Sequence, residues 1–137
     1  MSENILKGHK IVGGKVEGQA LVTRDKICFL ATVETDGSVL EEGHDLYGKN
    51  VAGTILVYPS GRGSTSGSWK VLEMAISGTA PKAILNTRAD SVAVSGAILG
   101  NIPMVHKFDK DPVEVIKTGD HVIVDADAGT VKVISSD

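Results

Sequence analysis

Glycine punctuates this chain: 16 glycines recur between short apolar runs rich in valine and isoleucine. Short β-branched runs bounded by turn-permitting residues favour strands and tight turns over a helical bundle. The runs that read as strands are Lys10–Val12, Glu17–Thr23, Ile27–Val33, Thr54–Tyr58, Lys82–Asn86, Val92–Ile98, Asp120–Asp125 and Thr130–Ile134. The last two flank Ala126–Gly129 and read as a hairpin with glycine in its turn. Val122 and Val124 alternate with polar His121 and Asp125, so one face is buried and the other wet. Two helices break the pattern. The first runs from Ser66 or Gly67 to Ser77, with Val71, Leu72, Ala75 and Ile76 on one face, Ser64 or Ser66 as cap and Gly78 as a left-handed stop. The second is Pro112 to Lys117, with Asp111 as cap and Gly119 beyond its end. Asp36-Gly37 and Glu41-Glu42-Gly43-His44 read as exposed turns. The whole, residues 1–137, reads as one mixed β/α domain, mainly β with one principal helix and a core over about residues 8–134.

The segment Ser60 to Trp69, SGRGSTSGSW, lies between the apolar run Thr54–Tyr58 and that principal helix. Strand, glycine-serine loop and helix start, in that order, bring backbone N–H groups and hydroxyls to one spot that suits an anion. A serine hydroxyl acts as a base only if its alkoxide is stabilised by oriented N–H groups, a helix N-terminus or a cation. Gly61, Gly63 and Gly67 allow the tight backbone, and Arg62 offers the cation. The same composition also suits a polar connecting loop with a serine cap, and the pattern alone leaves both readings open. It is not a Walker loop, because no GK[ST] ending follows.

Other features exclude more than they assign. The net charge of −3 and the scattered basic residues give no footprint for nucleic acid. No apolar run approaches the ~18 residues of a membrane span, and MSENILKGHK has neither a signal core nor transit character, so a cytoplasmic protein is expected. Cys28 is the chain's one cysteine. It forms no intrachain disulfide and cannot alone hold an iron–sulfur cluster, and its apolar run ICFLA reads it as a buried hydrophobe. His9, His44, His106 and His121 have no metal-ligand spacing and read as surface or loop residues. The carboxylate pairs Glu41/Glu42, Asp109/Asp111 and Asp125/Asp127 read as solvated turn residues. No metal site is expected on this chain.

Three segments in order carry a resemblance: VAGTILVYPSGRGSTSGSW, then SGTAPKAIL, then IPMVHKFDKDPVEVIKTGDHVIVDADAGTVKV. Together they resemble the small subunit, or swivel domain, of the aconitase X family, over about Gly8 to Val133. The resemblance implies the swivelling β/β/α fold of aconitase-like enzymes. It implies a heterodimer with a large subunit that carries a 4Fe–4S cluster and most of the substrate site. In ordinary aconitases a glycine-serine-serine-arginine loop supplies the catalytic base from its first serine; on those positions Gly63 is followed by Ser64, Thr65 and Ser66. Ser64 is the implied base, with Arg62, Gly63, Thr65, Ser66 and Gly67 around a small anionic substrate. Ser66 departs from the substrate-binding arginine of ordinary aconitases, which shifts anion recognition to Arg62 or to the partner. Residues 27–44 depart from the aromatic, glycine-rich segment of many members, and the resemblance assigns them no role.

The implied activity is that of a hydro-lyase, inactive as this chain alone, that dehydrates 5-phosphomevalonate to an anhydromevalonate phosphate in isoprenoid biosynthesis. Dehydration of cis-3-hydroxyproline is the alternative within the family. From another class, the C-terminal segment also resembles the end of phosphohistidine carrier domains, which are non-catalytic mobile units. Those need a histidine where Thr65-Ser66 is followed here by Gly67.

Overall fold

The computed structural model describes residues 3–62 and 66–135. In chain order the elements are β1 (Glu3–Lys7), β2 (His9–Val12), β3 (Lys15–Val22), α1 (Phe29–Thr32), β4 (Ile55–Tyr58), α2 (Gly67–Ser77), β5 (Ala83–Asn86), α3 (Ser91–Gly100), β6 (Met104–His106), α4 (Pro112–Val115), β7 (His121–Asp125) and β8 (Thr130–Ile134). The strands form one continuous ladder in the order β1-β8-β7-β3-β4-β5-β6-β2.

β3 is where the ladder changes character. Its first part, Lys15 to Gln19, pairs antiparallel with β7, and its last part, Ala20 to Val22, pairs parallel with β4. One long strand therefore belongs to an antiparallel layer (β1, β8, β7) and to a parallel layer (β4, β5, β6). Side chains alternate along β4 and β5, and both faces are buried. Ile55, Val57, Ala83 and Leu85 meet Val122, Val124, Val131 and Val133 of the antiparallel layer in one core. Leu56, Tyr58 and Ile84 meet Val71, Met74, Ala93 and Ala97 of the helices in the other. The result is three layers, β on β on α, as the family resemblance implies.

Locally encoded features stand where the sequence placed them. Gly78 closes α2 at φ 77°, and Asp111 accepts the Val113 N–H at the start of α4. Gly129 turns the last hairpin at φ 74°. Other expectations are corrected. Val92–Ile98 is helix, not strand, because Ala93, Gly96 and Ala97 form a small-residue face against α2. A Cβ on Gly96 would lie 2.9 Å from Val71 Cβ, so the helices approach closely there. Apolar residues on all sides of α3 erase the periodicity that separates a buried helix from a buried strand.

Ile27–Val33 is also not a strand. Phe29–Thr32 makes one helical turn, held by Lys70 Nζ on the carbonyls of Leu30 and Val33 (3.0 and 2.7 Å). On α2 the buried residues are Gly67, Ser68, Val71 and Met74, while Ile76 is 79% exposed. α4 stops at Val115 rather than Lys117. β1 and β6 had no reading as strands; each completes its pairing through a distant partner, β8 and β5 respectively.

Candidate active site at the carboxyl ends of the parallel strands

The loop that begins at Pro59 leaves the carboxyl end of β4, beside the ends of β3 and β5. In sheets with parallel strands, ligands gather at these ends, where the connecting loops are free to vary. The entry of the loop is tied to residue 27 from both sides of Gly61. Ile27 N–H donates to Ser60 O (3.3 Å), and Arg62 N–H donates to Ile27 O (3.2 Å). Gly61 N–H donates to Asp90 Oδ1 (3.1 Å), from the connection between β5 and α3. A Cβ on Gly61 would lie 2.2 Å from that oxygen, so glycine is what lets the carboxylate come so near.

Arg62 reaches back over α1. Its Nη2 donates to both carboxylate oxygens of Glu41 and, at 3.3 Å, to Thr32 Oγ. Thr32 is buried, and its hydroxyl is fully used: it also accepts the Cys28 N–H (3.2 Å) and donates to Glu41 Oε1 (2.6 Å). These contacts hold the Glu41 carboxyl below the usual glutamate range, the Thr32 hydrogen bond first and the Arg62 hydrogen bond next. Glu41 is thus not the solvated turn residue that its sequence context suggests. An open cleft of about 240 Å³ lies beside the pair, lined also by Asp25, Lys26, Glu42 and His44.

The far end of the loop enters α2. Ser66 takes the cap position with helical dihedrals (φ −65°, ψ −17°), and its side chain makes no cap hydrogen bond. The expected serine cap is therefore not made by Ser66. Gly67 is buried against Val92, and Ser68 Oγ donates to Val92 O (3.0 Å). Arg62 accordingly stands at the entry of the loop, and Ser66 and Gly67 at its junction with α2. The expected base Ser64, with Gly63 and Thr65, lies outside the described residues.

The remaining candidates have structural work. His44 lies in a loop as expected, yet it is buried: its Nδ1 accepts the Leu46 N–H (3.0 Å), so Nε2 carries the proton and donates to Lys26 O (3.0 Å). Asp109 accepts the Lys7 N–H, Asp127 the Gly14 N–H and Asp125 the Ala128 N–H. Tyr58 sits under the loop, fully buried, and burial pushes its phenol far above the ordinary tyrosine value, which keeps it neutral. Sequence reasoning missed Glu41, Thr32 and Asp90 as parts of the site, because each reaches it from a remote element.

Among the described residues no three His, Cys, Asp or Glu side chains stand together to hold a metal, and Cys28 is buried. The donors of this chain do not fit an iron–sulfur cluster. No helix among the described residues is long and apolar enough to cross a membrane.

Known proteins resemble this chain in sequence and in fold. The aconitase X swivel domain model matches residues 5–133. The phosphomevalonate dehydratase small subunit of Methanocella arvoryzae is 48% identical over 128 residues, 93% of this chain and 97% of that one. Its counterpart from Archaeoglobus fulgidus is 42% identical, over 90% of this chain and 94% of that one. The crystal structure of Thermococcus kodakaraensis aconitase X in its holo form has a chain that superposes with a TM-score of 0.91 at 43% identity, covering 96% of this chain and 99% of that one. A family model over nearly the whole length, relatives at this identity and a matching fold together place the chain in the aconitase X swivel-domain family.

Proposed function

We propose that this chain, a dehydratase subunit, is the small subunit of a phosphomevalonate dehydratase and supplies the base of the reaction. The carrying observation is the identity of 48% and 42%, over at least nine-tenths of both chains, to small subunits of that name. The partner is a large subunit, and the 4Fe–4S cluster belongs to it; this chain's part is the proton. Ser64, as alkoxide, takes a proton from the carbon next to the substrate carboxylate. The electrons of the broken C–H bond form the double bond as hydroxide leaves the neighbouring carbon, giving an anhydromevalonate phosphate. The N–H groups of Gly63, Thr65, Ser66 and Gly67, at the start of an 11-residue helix, lower the cost of the alkoxide and hold a substrate oxygen.

The test is anaerobic reconstitution with the large subunit and assay on 5-phosphomevalonate, with cis-3-hydroxyproline in parallel. The complex should form the anhydro product, and the chain alone should not. Ser64→Ala should assemble normally and lose about 10²–10⁴-fold in turnover. Near-wild-type turnover in that variant removes Ser64 from the chemistry, and consumption of hydroxyproline instead of phosphomevalonate overturns the substrate.

A further inference from the structure

Arg62 grips one segment at two points. Its main-chain N–H holds Ile27 O, and its guanidinium holds Thr32 and Glu41. The ion pair is half-sheltered, with side chains 46% and 28% exposed for Arg62 and Glu41, and it is reinforced by a buried hydroxyl that bonds to both partners. A guanidinium fixed through one nitrogen by a carboxylate and a hydroxyl has lost most of its rotational freedom. It is also a poor receptor for a phosphate or carboxylate. Its charge is already met by Glu41, and the adjoining cleft sets two further carboxylates, Asp25 and Glu42, against one further cation, Lys26.

We infer that Glu41, with Thr32, is a positioning residue: acting through Arg62, it sets the entry of the loop that carries Ser64. This rests on the functional reading above for its consequence but not for its geometry. It gives a role to the segment 27–44, whose Thr32 and Glu41 stand 30 and 21 residues from Arg62 in sequence. It also recasts Arg62, from a receptor of the substrate anion to a strut.

Two experiments test it. In the first, ¹⁵N spectra of the full chain report the Arg62 side chain. Wild type should show separate, slowly exchanging Nη signals, and Glu41→Gln should merge them. Averaged Nη signals in wild type overturn the inference whatever the substrate.

In the second, a double-mutant cycle is run on the reconstituted complex. Glu41→Ala and Arg62→Ala should each lower kcat by about 10- to 100-fold, the scale of a misplaced catalytic group, with KM little changed. The double variant should be no worse than Arg62→Ala, and Glu41→Asp should recover part of the loss. Additive losses, or a raised KM with kcat intact in Arg62→Ala, overturn the inference. Separate Nη signals in a wild-type complex that does not dehydrate phosphomevalonate overturn the functional reading and leave the strut supported.

Discussion

The antiparallel and parallel halves of the sheet are made of similar residues but are buried differently. Along β7 and β8 every second residue is buried, so one face meets the core and the other meets solvent. Along β4 and β5 every residue is buried, because the antiparallel layer covers one face and α2 and α3 the other. In the first half β7 runs into β8 through a short turn, and the other neighbours pair from distant parts of the chain. The second needs crossover connections, and their loops emerge together at the strand carboxyl ends. Arg62, Asp90 and the start of α2 all arise there. One half is thus a platform and the other carries the site.

The sharpest test of that contrast is a pair of truncations. Leu85 in β5 is fully buried, whereas Ile123 in β7 is 36% exposed. Leu85→Ala should cost about 2–5 kcal/mol, the range for a buried large-to-small change. Ile123→Ala should stay within about 0.5 kcal/mol, as surface changes do. Urea denaturation of the two variants reads the difference directly, and equal costs would mean the halves are not buried as described.

A glycine pair comes next. Gly61→Ala sets a methyl where Asp90 now lies and should break the Gly61 N–H bond to that carboxylate. Losing a hydrogen bond to a charged group costs about 1.5–3 kcal/mol. Gly18, in the antiparallel part of β3, offers a Cβ only ordinary contacts, the nearest at 3.4 Å from Lys82 Cδ. Gly18→Ala should therefore be neutral or stabilising by about 0.4–1 kcal/mol, through a less flexible unfolded chain. If Gly61→Ala proves equally benign, Asp90 is not a fixed part of the site.

The same contrast explains what could be read from the sequence. The hairpin of β7 and β8, the Asp111 cap and the Gly78 stop are written in a few adjacent residues, and their physics is local. The three-layer fold and the family came from motifs in order. α1 and α3 were misread because apolar residues stand at exposed as well as buried positions, Leu30 in the first and Ile98 and Leu99 in the second, and leave no usable period. Within the site, Arg62, Ser66 and Gly67 were legible as neighbours in one loop. Glu41 and Asp90 were not, because they meet that loop only after the chain has folded, and a glutamate in a Glu-Glu-Gly turn looks the same before that happens.

The smallest expected effect is one of pH. His106, at the end of β6, accepts the Ala89 N–H on Nδ1 (2.9 Å), so its ring is neutral in that contact. Burial first, and then the nearby Lys107, His9 and Arg88, hold its pKa below the ordinary histidine value. A base with a lowered folded pKa binds fewer protons folded than unfolded. Its contribution to stability is complete above about pH 6.5 and is lost as pH falls through the lowered folded value. Protonation at Nδ1 would expel the Ala89 N–H and loosen the connection that carries Asp90 to Gly61. Hydrogen exchange at pH 7.5 and 5.5, corrected for intrinsic rates, should show protection at Ala89 falling while Val124 in β7 changes little. His106→Gln should flatten that difference. A parallel decline at both amides would tie the pH response to the whole domain and not to the half that carries the site.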